Sequence, residues 1–351
     1  MTTDVSLRAD LAVRGVRVDA PVRREHGAGP SDDGHVFLGG VGTSLPVVST
    51  SPYEVRAGRL LLDGADLGLS VEPVRRPAFY DLTTPEGVPY EQLARLHGAD
   101  VLATTVVQTC MRYEDEATRC RFCAITASLE AGSTTAVKTP AELAAVAEAA
   151  VRLDGIRQMV MTTGTSTAPD RGARHLARCV RAVTAAVPGL PVQVQCEPPA
   201  DLAVLTDLHE AGATAIGIHV ESLDDEVRAR WTPGKGTVPL TEYWAAWREA
   251  VRVFGRNKVS TYLLVGLGED PDELVEGAGR LAAEGIYPFV VPFRPLSGTL
   301  AAAEPPPSAA LVADVTRRVA AQLLAVGMRG ADQGAGCAAC GACSALAVAG
   351  A

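Results

Sequence analysis

The sequence is poor in aromatic residues: Phe, Tyr and Trp together make up 5% of its 351 residues. Its interior must be built from Ala, Val and Leu, and a hydrophobic content of 47% is enough for a sizeable core. A basic excess is also missing. Lys and Arg number 32 against 41 Asp and Glu, giving a formal net charge of −9. With no basic run interleaved with aromatics, the chain is a poor match to phosphate backbones, and no nucleic-acid partner is expected. No stretch approaches the roughly 18 apolar residues that span a bilayer, so no membrane association is expected. The opening MTTDVSLRADLAVRG lacks the basic start and apolar centre of a secretory signal, which points to a cytoplasmic protein. Self-similarity at roughly 20–50 residues is absent, which excludes a solenoid.

Cysteine, by contrast, is abundant and clustered. Of the eight cysteines, Cys179 and Cys196 stand alone. The other six form two tight triplets, Cys110/Cys120/Cys123 and Cys337/Cys340/Cys343. In a cytoplasmic chain such spacing suggests a metal or iron–sulfur site rather than disulfides.

The chain divides by texture into residues 1–95, 96–305 and 306–351. In the first part, Pro21 to Gly34 is rich in Arg, Gly, Pro and Asp and reads as an exposed loop or disordered link. Val36–Leu38 and Tyr53–Leu62 read as strands, with a turn at Asp63-Gly64. This part is expected to be a small α+β attachment. From about Asp100, apolar runs alternate with helical periodicity. The runs are 101–109, 158–163, 192–195, 215–220, 259–265 and 288–291. The intervening helices are expected at 140–153, 173–186, 200–211, 223–230 with 241–253, and 271–284. This alternation implies parallel pairing through right-handed crossovers, with a sheet buried on both faces. A barrel and a doubly wound open sheet both accommodate six such units. A further helix, 307–326, leads into a Gly/Ala/Cys tail.

Cys110 closes the first run, in CMRYEDEATRCRFC. The spacing is C-x9-C-x2-C, at the end of the strand where parallel βα barrels carry their active sites. Three thiolates can hold three irons of a cubane and leave the fourth open to a small ligand. Arg119 and Arg121 are placed to offset the thiolate charge, and Phe122 to shield the site from water. The competing assignment is structural zinc, which normally takes a fourth Cys or His, and the loop contains no histidine.

With these features the sequence resembles the radical SAM superfamily, in its biotin-synthase-like branch. The family motif is C-x3-C-x-aromatic-C. Here Arg121-Phe122 matches the second gap, whereas the first gap has nine residues. Further family features follow in order: Thr163, Gly164 and Thr165 after strand two, Glu221 and Ser222 after strand four, and LLVGLGE with Gly266 and Glu269 at strand five. At strand six comes PFRPLSGT, beginning at Pro292. The resemblance covers about residues 95–300. The stretches TTVVQTC, MVMTTGTS, QCEPP and GCAACGACS make the chain most similar to a subgroup encoded in nitrilase-centred bacterial gene clusters. The expected fold is thus α/β: a partial (βα)6 TIM-type barrel with a small N-terminal α+β attachment and a C-terminal cluster-binding tail.

The resemblance implies a 4Fe-4S cluster on Cys110, Cys120 and Cys123 and S-adenosylmethionine chelated to its open iron. One electron, from a reductant such as flavodoxin or ferredoxin, would cleave the sulfonium C–S bond. The 5′-deoxyadenosyl radical would then take a hydrogen from a small-molecule substrate. It also implies that Phe122, Thr163, Gly164, Thr165, Glu221, Ser222, Gly266, Glu269 and Pro292 surround the cofactor. Glu197 and Glu221, each after a strand, are candidate catalytic residues, although either could merely cap the next helix. His219 is expected to be a satisfied core histidine, and Cys179 a small buried hydrophobe. Cys196 stays undecided. Arg294 could reach an anionic group or lie on the surface.

The second triplet, C-x2-C-x2-C in GCAACGACS, is similar to the start of a bacterial ferredoxin run whose fourth position is Ala347 here. The expectation is a second iron–sulfur cluster, used for electron transfer or sulfur insertion. Ser344, Asp332, a substrate or another cysteine could complete it. A zinc knuckle is the alternative. For the whole chain the rival reading is an electron-carrier or zinc-binding module on a βα scaffold, without radical chemistry.

Overall fold

The computed structural model describes residues 4–18 and 34–349. Except for Gly34, the Arg/Gly/Pro/Asp-rich segment 21–34 lies outside the described residues.

The N-terminal part opens with a helix, Val5–Arg14, capped by the Asp4 carboxylate on the Leu7 amide. Six strands follow: β1 (Arg17–Val18), β2 (Gly34–Leu38), β3 (Val41–Leu45), β4 (Tyr53–Arg56), β5 (Arg59–Leu62) and β6 (Ala65–Pro73). They form one sheet in the order β1-β4-β5-β6-β2-β3. The stretch 53–62, expected as one strand, is a hairpin. Ala57 and Gly58 both take left-handed backbone angles (φ 47° and 71°) and reverse the chain without interrupting the apolar pattern. Asp63 and Gly64 make a second such turn, where one was expected.

The larger sheet has seven strands: β7 (Arg95–His97), β8 (Val101–Thr105), β9 (Gln158–Thr162), β10 (Val192–Gln195), β11 (Ala215–Gly217), β12 (Val259–Val265) and β13 (Ile286–Pro292). Their order is sequential, β13-β12-β11-β10-β9-β8-β7. β8 to β13 pair in parallel, and β7 adds an antiparallel edge. A sequential order has no switch point, so the crossover helices stay on one face and the sheet curls into a partial barrel. That decides against the doubly wound alternative. The helices start where local chemistry dictates. Thr139 and Glu142 form a capping box ahead of Pro140, and Asp270 caps the helix beginning at Pro271. Their inner faces bury Leu143, Leu176, Val180, Leu205, Trp247 and Leu281 against the sheet.

Two differences from expectation matter for the site. The first barrel strand stops at Thr105, so Cys110 lies in the loop beyond it rather than at its end. The tail after the helix Ala309–Ala325 is not an appendage. It forms a 3-10 turn, Gly330–Gln333, and two helical turns, Cys337–Cys340 and Leu346–Ala349, folded against the N-terminal ends of the barrel strands. Asn257 Nδ2 donates to the Arg329 carbonyl at 2.9 Å, and the Gly336 amide donates to Gln158 Oε1 at 2.8 Å. The helix Val5–Arg14 packs on the helix Ala309–Ala325, joining the two ends of the chain. Among the described residues, no helix is long and apolar enough to cross a membrane.

Candidate functional site

Cys110, Cys120 and Cys123 are free thiols and half-buried, in the loop that leaves the C-terminal end of β8. The loop is pinned on both sides. The Met111 amide donates to the Thr165 carbonyl at 2.8 Å, and the Arg121 amide to the Trp231 carbonyl at 2.8 Å. Gly164 permits this approach: a Cβ there would lie 2.0 Å from the Thr109 carbonyl oxygen. Burial pushes the Cys120 thiol well up and Cys123 to about 11, while Lys235 acts on both in the opposite sense.

Lys235, rather than Arg119 or Arg121, is the cation that acts on Cys120 and Cys123, while Arg112 acts on Cys110. Arg119 lies over the Tyr113 ring at 4.0 Å and donates to the Tyr113 carbonyl. Arg121 pairs with Glu304 at 3.6 Å. Lys235 Nζ instead sits 2.9 Å from Glu221 Oε1, with both side chains largely buried. Burial alone would lower the Lys235 ammonium, but Glu221, Tyr243, Cys120 and Glu197 outweigh it and hold it charged. Glu221 adopts a left-handed backbone (φ 71°), a strained conformation that turns its side chain toward the mouth.

Glu197 is held more firmly. Arg112 donates to it twice, Nε to Oε1 at 3.0 Å and Nη2 to Oε2 at 2.9 Å. Thr165 Oγ1 adds a third bond at 2.8 Å. Burial would raise the carboxyl, yet the bonds from Arg112 and the charges of Lys235 and Arg112 keep it below the usual range. Glu197 and Glu221 therefore meet at one mouth, bridged electrostatically by Lys235.

The remaining expected cofactor residues line the same end of the barrel. Thr163 donates its amide to the Gln195 carbonyl at 3.2 Å, and its hydroxyl to the Gly164 carbonyl at 3.0 Å. Ser222 Oγ accepts the Asp224 amide at 3.2 Å. Gly266 takes φ 102°, and Glu269 accepts the amides of Gly266 and Leu267 at 2.9 and 3.0 Å. Glu269 is thus committed to shaping the turn. Pro292 ends β13 beside Val265. Phe122 packs in a small apolar cluster with Trp231, Leu267 and Phe293.

Cys337, Cys340 and Cys343 sit at the other end of the lumen. Tyr262 Oη donates to Cys337 Sγ at 2.7 Å, and Gln195 Nε2 approaches it at 3.8 Å. Burial pushes all three thiols up, Cys340 to about 11 and Cys343 to about 12. Arg294 is half-buried rather than exposed, and its charge acts on Cys343. His219 stacks on Tyr262 at 4.0 Å and accepts the Tyr262 amide, but its Nε2 has no hydrogen-bond partner. Burial, then Lys235, lowers it to about 3, so it is neutral. Cys179 and Cys196 are buried. A cavity of about 250 Å³ runs from Thr105 and Thr162 past Gln195 to Cys337.

Donor chemistry fits an iron–sulfur cluster at both triplets. Each offers three free thiols in a confined place, with a cation nearby: largely buried Lys235 at the first, buried Arg8 and half-buried Arg294 at the second. Nothing in the spacing of the sequence singles out Arg112, Lys235, Arg8, Tyr262 or Gln195. The only local signal is the Pro-Gly-Lys-Gly turn that carries Lys235.

Residues 117–281 match the family model described as the Radical SAM superfamily. That span includes Cys120 and Cys123 and starts after Cys110, the cysteine beyond the unusual gap. The chain is 28% identical over 241 residues to a lipoyl synthase of Thermus thermophilus, covering 61% of this chain and 70% of that one. It is 27% identical over 125 residues to a bacteriochlorophyllide c C-7(1)-hydroxylase of Chlorobaculum limnaeum, covering 35% of this chain and 31% of that one. The fold is similar to the crystal structure of a methylornithine synthase, with a TM-score of 0.51, 15% identity and 78% of each chain covered.

Proposed function

Starting from a radical SAM core over residues 117–281, we propose that this enzyme cleaves S-adenosylmethionine reductively and takes a hydrogen from a small-molecule substrate. The observation that carries the reading is the C-terminal mouth. Three half-buried free thiols lie there, Lys235 acts on two of them, Cys120 and Cys123, and two largely buried carboxylates converge on that lysine. Cys110, Cys120 and Cys123 would hold a 4Fe-4S cluster. When bound, cluster and S-adenosylmethionine supply the radical chemistry, while the protein binds and orients.

The chain's own residues have definable tasks. Lys235 offsets the thiolate charge without a water shell. Arg112 and Thr165 hold Glu197 ionised, as an anchor for a cationic or hydroxyl group. Thr163, Gly164, Thr165, Ser222, Gly266, Glu269 and Pro292 form the cofactor's surroundings, with Glu269 acting through the turn it bonds. Phe122 and its apolar cluster keep water away. Glu221 is the candidate for contact with cofactor or substrate. The cavity reaching Cys337 is the substrate space we favour. Cys337, Cys340 and Cys343 would carry a second iron–sulfur cluster. The division into 1–95, 96–305 and 306–351, a reductant such as flavodoxin or ferredoxin, and a cytoplasmic location complete the proposal.

The test is anaerobic reconstitution followed by dithionite and S-adenosylmethionine. 5′-Deoxyadenosine should form, and Ala at Cys110, Cys120 and Cys123 should abolish it. Protein that holds iron and sulfide but gives no 5′-deoxyadenosine with any reductant would instead favour an electron carrier. A second reading concerns the tail. Because Cys337 lines the cavity, sulfur from the second cluster could be inserted into the substrate. That use predicts cluster loss on turnover and a product heavier by sulfur. A second cluster intact after many turnovers rules it out.

A further inference from the structure

The second triplet has two neighbours outside the radical SAM motifs. His97 ends β7, on the barrel's antiparallel edge, and His35 lies on β2 of the N-terminal sheet. His97 Nε2 is 3.8 Å from Cys343 Sγ. The two imidazoles meet edge to face, with ring centres 4.5 Å apart. One ligand atom from each of His35, His97 and Cys343 lies within 4.8 Å of the others. The next residue, Gly98, has φ +63°, and a Cβ there would stand 2.8 Å from Cys340 Sγ. The turn after β7 therefore brings an imidazole to one thiol and clears space for another.

Charge supports the same arrangement. Buried Arg8 donates to the carbonyls of Gly341, Ala342 and Ser344 at 3.2, 3.4 and 3.4 Å, clamping the cysteine loop. The Ser44 amide holds the Ala342 carbonyl at 2.9 Å. Arg8 thus acts on Cys340 and Cys343, and Arg294 on Cys343. A fourth thiolate would add uncompensated charge there, whereas a neutral imidazole adds none.

We propose that His97 Nε2 is the fourth protein ligand of the cluster on Cys337, Cys340 and Cys343, with His35 positioning its ring. This rests on reading that triplet as an iron–sulfur site. The ligands then come from the barrel edge and the tail, so neither part builds the centre alone. All protein positions being filled, the cluster has no iron reserved for substrate. Replacing a thiolate by imidazole also makes it less negative and raises its reduction potential.

The experiment uses full-length protein with Cys110, Cys120 and Cys123 replaced by Ala, so that only the second site can load. It is labelled with ¹⁵N-histidine, reconstituted with iron and sulfide, reduced, and examined by pulsed EPR with metal and sulfide analysis. A strongly coupled nitrogen is expected. His97→Ala should remove it, and His35→Ala should leave it. His97→Cys should retain a cluster without nitrogen coupling, at a lower potential. Iron and sulfide without nitrogen coupling, or coupling that survives His97→Ala, overturns the histidine assignment alone. Protein without iron, or with zinc in its place, overturns the second-cluster reading and this assignment with it.

Discussion

Glu197→Gln keeps the shape of the carboxylate and removes its charge, so it isolates what the Arg112 pair contributes. Both side chains are about 10% exposed, and two hydrogen bonds at 2.9 and 3.0 Å join them. Charge centres about 4 Å apart attract by about 4 kcal/mol at an effective dielectric of 20. The amide oxygen of Gln can keep one bond from Arg112, so the expected loss is about 3 kcal/mol, the lower end for a broken buried pair. For a chain of 351 residues that lowers the melting temperature by about 4 °C. Because the native carboxyl lies below its ordinary value, the stabilisation is present above the unfolded value and lost as pH falls through the folded one. Calorimetry at neutral pH on Glu197→Gln, Arg112→Met and the double variant is the assay. The double variant should be much less destabilised than the sum of the singles, because each single leaves one buried group unpaired. Additive losses, or a shift below about 1 °C for Glu197→Gln, would refute the reasoning.

Three further outcomes are expected. Gly164→Ala should displace the Thr109–Cys110 backbone, because its Cβ would meet backbone atoms rather than a movable side chain. Iron at the first triplet and 5′-deoxyadenosine formation should fall at least tenfold while the second site still loads; unchanged iron there counts against the pinned loop. Gly98→Ala combines a left-handed backbone with a 2.8 Å approach to Cys340 Sγ, about 2–4 kcal/mol of strain together. It should selectively deplete iron at the second site, and equal loss at both sites would contradict that. Lys138, buried and bonded to Thr134 and Thr135, is lowered to about 8 by burial, with Glu142 opposing. As a depressed cation it costs stability below pH 8, and that cost disappears as pH rises toward the unfolded value. NMR titration of ¹³Cε-lysine, assigned with Lys138→Met, should give a midpoint near 8, and one above 10 would contradict the burial argument.

The sequence by itself determined the features that are local. Apolar runs alternating with amphipathic stretches specify βα units, because side-chain period and crossover handedness leave little choice. C-x2-C spacing and the Asp63-Gly64 turn signal depend on neighbours a few residues away, so they were legible too. The hairpin at 57–58 was not, since Ala57 carries no turn signature and the apolar pattern runs through it. What only the tertiary structure decided was non-local. Barrel rather than open sheet is a matter of strand order. Lys235 faces Cys120 across more than a hundred residues, and Arg112 reaches Glu197 across 85. The tail folds under the barrel because Gln158, Asn257 and Arg8, from three distant segments, satisfy its backbone. Polar partners of this kind are chosen by where the chain returns in space, and no periodicity records that.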